Sequence, residues 1–177
     1  MTDLQKRLAG LTPQQRRELA ESLHRRKLPA SYPLSLMQDG VCLLSSLEPD
    51  NPAYAMPAAV RITGDLRIDV FDRAMDELAR RHDAFRTTFT VLDGEARQVV
   101  SAESPVRIQH EELTSLTSEE AAAVCDKRLA CDCTEPFSLD EGPLLRIRLL
   151  RLAEREYILT LVQHHLVCDW WSVRVLF

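Results

Sequence analysis

A chain of 177 residues is long enough to bury a core, either as one domain or as one structural half of something larger. Its 45% apolar and 28% charged content is that of a globular protein, which excludes a disordered chain. The formal charge is -5 and unevenly spread: the first 30 residues hold seven Lys/Arg against three Asp/Glu, a balance of +4 that leaves -9 for the rest, so charge excludes a nucleic-acid binder.

The basic start, "QQRRELAESLHRRK", reads as a solvated amphipathic helix, with a docking surface for an acidic partner as the alternative. No uncharged apolar run approaches the length of a membrane span. Cysteines stand at 42, 125, 131, 133 and 168, an odd number behind a start without a secretory apolar region, so no disulfide framework is expected and a reducing cytoplasm fits. The "CDC" at 131 to 133 lacks a second ligand pair at zinc-like spacing, so no metal site is expected there.

Taken in chain order, Thr12, Pro13 and Gln15 form an N-cap, an N1 proline and a capping box, and predict a helix to about Lys27. Leu28-Pro29 and Tyr32-Pro33 break that pattern, and "SLMQDGVCLLSSL" from Ser35 resumes it as a second helix. A Pro/Asn loop at 49 to 57 leads into the strand "AAVRIT". Gly64 turns the chain into a third helix carrying Phe71, Ala74, Met75, Leu78 and His82 on one face. "FRTTFTVL" and "ARQVV" read as a hairpin turned at Asp93-Gly94, and "VRIQHEEL" as a further strand. Thr117 with Glu120 caps a helix to about Ala130, and "GPLLRIRLLRLA" and "EYILTLVQHH" are consecutive strands. The whole predicts one mixed α/β unit without repeats or internal linkers.

The end of the chain, "LVQHHLVCDWWSVRVLF", is the most chemically loaded. Alternation along its strand puts Tyr157, Leu159, Leu161, Gln163 and His165 on one face and Ile158, Thr160, Val162 and His164 on the other. The two histidines therefore have different surroundings, one free to face a cleft while its neighbour packs inward. Adjacent histidines on one strand diverge, and no carboxylate-histidine set completes a metal site. No G-x-S-x-G elbow supports a serine triad. A histidine at a strand-to-loop edge with Asp169 in the following loop remains, poised for proton transfer or orientation.

These residues carry a resemblance. "HHLVCDWWS", 164 to 172, resembles the HHxxxDGWS signature of condensation domains of nonribosomal peptide synthetases. "RHDAFRTTF", 81 to 89, resembles the same family's RHExLRTxF motif, and "SLMQDGVCLL", 35 to 44, is a looser match to SxAQxRLWxL. "PFSLDEGPLLRIRLL", 136 to 150, is similar to the family's approach to its active-site strand. The resemblance implies a chloramphenicol acetyltransferase-like fold of two related α/β halves, of which this chain holds the first. Residues 1–30 are then a linker or helix, and residues 31–177 the N-terminal subdomain.

The implied reaction is amide formation between an acyl or peptidyl thioester and an aminoacyl amine, each held on the phosphopantetheine arm of a carrier protein. No cofactor is bound directly. The implied partners are upstream and downstream peptidyl carrier domains, the missing C-terminal half and adjacent synthetase modules, with neither nucleic acid nor membrane.

Carried over by position, His165 matches the catalytic histidine, His164 the packed one, Asp169 the motif aspartate, and Arg86 the arginine that pairs with that aspartate in a buried ion pair. Backbone N–H groups just after His165 become candidates for an oxyanion site. Trp170, Trp171 and Ser172 become candidates for lining the tunnel, with Trp170 standing where the family has glycine and either narrowing the tunnel mouth or turning outward. An epimerization domain of the same superfamily, which typically reads DGVSW where this chain has "DWWSV", and a catalytically silent carrier-protein platform are the alternatives.

Overall fold

The computed structural model describes Thr12 and residues 30–176, so the helix expected from Thr12 to Lys27 lies, Thr12 apart, outside the described residues. The chain runs β1 (Ala30–Pro33), α1 (Leu36–Leu47), β2 (Ala55–Thr63), α2 (Ile68–Arg81), β3 (Thr87–Leu92), β4 (Glu95–Val100), β5 (Ile108–Glu112), α3 (Ser118–Thr134), β6 (Leu145–Ala153), β7 (Glu156–His164) and α4 (Trp170–Leu176). The mixed α/β class expected from the sequence is the one observed.

Two sheets form. The smaller has the order β1-β4-β3 and the larger β2-β7-β6-β5, with β5 and β6 parallel and every other pair antiparallel. The β3–β4 turn uses Asp93 and Gly94, both at positive φ, as a two-residue hairpin requires. Strands β1 and the first part of β2 fall where the prolines predicted a loop. Both are edge strands of their sheets, where the N–H that Pro33 and Pro57 lack is not needed by a second neighbour.

Strand β7 is central and buried on both faces. Tyr157, Leu159 and Leu161 join Ile147, Leu149 and Val106 in one cluster, against which α2 lays Phe71 and Met75. The opposite face carries Leu150 and Ile158 to α3 through Leu113, Ala121 and Val124. The alternation read from the sequence is thus the partition between two helices, and it delivers the His164–His165 pair to the strand's end.

Helix boundaries follow their caps. Ser35 accepts from the Gln38 N–H while the Gln38 side chain takes the Ser35 N–H, opening α1 with a capping box. Thr117 and Glu120 do the same for α3, which runs one turn past the expected end, to Thr134, and carries Cys131 and Cys133 in that turn. Helix α2 stops at Arg81, so His82 is its C-cap and not its last helical residue.

Candidate active site

At the end of β7 the two histidines separate. The His164 N–H bonds to the Leu144 carbonyl of the β6 side, and the His165 N–H to the Tyr54 carbonyl beside β2, so both backbones stay fixed by the sheet. His164 is 5% exposed, with its ring 5.7 Å from Phe137 in an edge-on contact and 6.0 Å from Tyr54. Its Nδ1 accepts from the Leu166 N–H at 3.2 Å. Burial, reinforced by the neighbouring His165, pushes its pKa down to about 4, so this ring is neutral at physiological pH.

His165 is exposed. Its Nδ1 lies 2.8 Å from the Cys168 carbonyl oxygen, which can only accept, so Nδ1 carries the hydrogen. In the neutral ring the lone pair then sits on Nε2. The loop that supplies this carbonyl is held at several points. The Val167 N–H bonds back to the His164 carbonyl, and Gln38 of α1 donates to the Leu166 carbonyl at 3.3 Å. Asp169 caps α4: its carboxylate takes the Ser172 N–H and hydroxyl, both at 2.7 Å, and the Asp169 N–H reaches back to the Ser172 hydroxyl. Those bonds hold the Asp169 carboxyl below its usual range. Met37, Gln38, Val41, His165 and Asp169 are among the residues around an open cleft of about 400 Å³.

Residues 29–177 match the family model of the condensation domain. The chain belongs to the condensation-domain family. It is 36% identical over 146 residues to a linear gramicidin synthase of Brevibacillus parabrevis, an alignment covering 82% of this chain and 3% of that protein. It is 34% identical over 189 aligned residues to the phosphinothricin tripeptide synthetase PhsC of Streptomyces viridochromogenes, covering 99% of this chain and 17% of that one. Among solved structures, the starter condensation domain of rhizomide synthetase RzmA superposes with a TM-score of 0.74 at 27% identity, over 82% of this chain and 35% of that chain. The chain therefore spans only a small part of the synthetases it matches and about a third of that solved condensation-domain chain. Its fold is the chloramphenicol acetyltransferase-like one of condensation domains.

Within this condensation-domain segment two expectations are corrected and a third is decided between its alternatives. Arg86 does not meet Asp169: its guanidinium bonds to Asp83, three residues back, and donates to the Ser101 carbonyl at 2.6 Å, while Asp169 is exposed and accepts from Ser172 through Oδ1. The N–H groups of Leu166 and Val167 are already committed to His164, so neither is open to an oxyanion. Of the two placements expected for Trp170, the structure has the outward one, and the residue does not line the His165 cleft. It begins α4 without positive φ and is 66% exposed; Ser172 borders the His165 cleft, and Trp171 and Ser172 border a second chamber on the α2 side.

A buried charged network went unread in the sequence. Asp132 of α3, 1% exposed, accepts two bonds from Arg148 of β6, at 2.6 and 2.7 Å. Arg146, two residues earlier on the same face, donates to the carbonyls of Asp132, Glu135 and Pro136 and lies 3.8 Å above the Phe137 ring. Phe137 is the ring whose geometry holds His164 edge-on. The available signal was Arg146 and Arg148, two residues apart in "LLRIRLL" on an otherwise apolar stretch of strand.

Proposed function

We propose that this segment is the N-terminal wall of a condensation domain joining a carrier-bound acyl or peptidyl donor to a carrier-bound aminoacyl acceptor. The observation that carries the reading is the His165 Nδ1 bond to the Cys168 carbonyl, which leaves the Nε2 lone pair beside an open cleft. In the proposed step the acceptor amine attacks the thioester carbon, the carbon–sulfur bond breaks, and the amine proton passes through Nε2 to the leaving thiolate. An α-amine has an unperturbed pKa of roughly 7.7 to 8.0, so part of it is neutral near pH 7 and a strong base is not needed. The Cys168 N–H, which has no partner among the described residues, is the proposed donor to the oxyanion in place of Leu166 and Val167.

Both substrates ride on phosphopantetheine arms, so the proposed partners are the flanking carrier domains and adjacent modules, and the step needs no bound cofactor. The second half of the site is proposed to cover α1, whose Leu36, Met37, Leu43, Leu44 and Leu47 are exposed, together with Trp170. A patch of that composition is what an interdomain contact buries.

The test is single-turnover amide formation by the complete domain with loaded donor and acceptor carriers. General base catalysis supplies about 100- to 10,000-fold, so His165→Ala loses at least about 100-fold with binding of the carriers retained. A loss below about tenfold would leave His165 a positioning role and overturn its part as base.

A further inference from the structure

The face of β7 that packs on α2 is apolar except at its end, where Gln163 follows Tyr157, Leu159 and Leu161. Gln163 is 6% exposed, and its side-chain amide makes no hydrogen bond to any described residue. Neither amide atom is among the sealed polar atoms that lack a partner, so the unpartnered group keeps its access to a neighbouring space. The amide opens into a chamber of about 240 Å³ whose walls include Leu78, Phe85, Leu145, Val167 and Trp171. Val167, Cys168 and Ser172 border both this chamber and the His165 cleft, so the two spaces share one wall.

We propose that the chamber is a donor-binding subsite in which Gln163 reads the amide group of an N-acylated aminoacyl thioester; this rests on the condensation reading given above. A carboxamide offers N–H donors and a carbonyl acceptor, the complement of a secondary amide's carbonyl and N–H. Apolar walls beside it suit the adjoining side chain of that residue. A space of about 240 Å³ admits the side chain of one residue. The assignment to the donor follows from the chemistry of the step: the acceptor must present a free amine, so an amide next to the thioester belongs to the donor.

The test compares, in the complete domain, a carrier-bound N-acetylleucyl donor with the analogue in which an ester oxygen replaces the amide nitrogen. The wild type is expected to favour the amide donor about tenfold or more, and Gln163→Leu to bring the ratio close to one while the ester donor still reacts. Independently of turnover, N-acetylleucine amide is expected to raise the melting temperature of the wild type and not of Gln163→Leu. An amide preference equal in both proteins, or equal protection of both, would overturn the subsite. Absence of product from wild type would count against the condensation reading instead, and the protection measurement would still decide the subsite.

Discussion

His164 and His165 are adjacent in sequence and opposite in surroundings, and the difference has a consequence in pH. His164 binds a proton in the unfolded chain below about 6.5 but in the folded one only below about 4. Between those values the unfolded state holds more protons, so stability rises with pH. The contribution is fully present above about 6.5 and is lost as pH falls toward 4, by about 3 kcal/mol. A His164→Phe variant, which keeps an aromatic ring against Phe137, is expected to lose that slope in thermal melts between pH 4 and 7; an unchanged slope would mean that another group sets it. Period-two alternation made the separation of these neighbours legible beforehand, because it depends only on the pleat. The actual partners of Arg86 and Asp169 were not legible. Asp83 and Ser172 are close in sequence to the two groups, and local partners of that kind win whenever the loop geometry lets them close.

Among the elements, α3 and β6 are tied by the charge pair that stabilises this segment from within. Asp132 is 1% exposed and bidentate to Arg148, whereas Asp83 beside Arg86 is largely exposed. Breaking a buried pair from one side costs about 3 to 5 kcal/mol, and an exposed pair is worth at most about 1. Asp132→Ala is therefore expected to depress the melting temperature sharply and Asp83→Ala hardly at all; similar melts for the two would refute the contrast. Most elements were readable because caps and turns announce them: Ser35 and Gln38, Thr117 and Glu120, and Asp93-Gly94 each act within a few residues. Strand β1 and the start of β2 were not, since proline forbids an interior strand but not an edge one, and edge position is a property of the whole sheet.

At the scale of the molecule, the large sheet and its two covering helices carry His165 to an edge where α1 and α4 leave apolar side chains uncovered. The fold class followed from strands interleaved with helices, and the family from motifs in order along the chain. The surroundings of the two tryptophans did not follow, because which of them turns to the chamber on the α2 side is set by where α4 begins after the Asp169 cap.

On the proposed function, His165 is the reacting histidine and this segment forms one wall of the site. Single-turnover transfer between loaded donor and acceptor carriers, run with the 177-residue segment alone and with the complete domain, tests it directly. The expected result is a folded segment that yields no amide above the uncatalysed background and a complete domain that does; amide formation by the segment alone would contradict the one-wall reading.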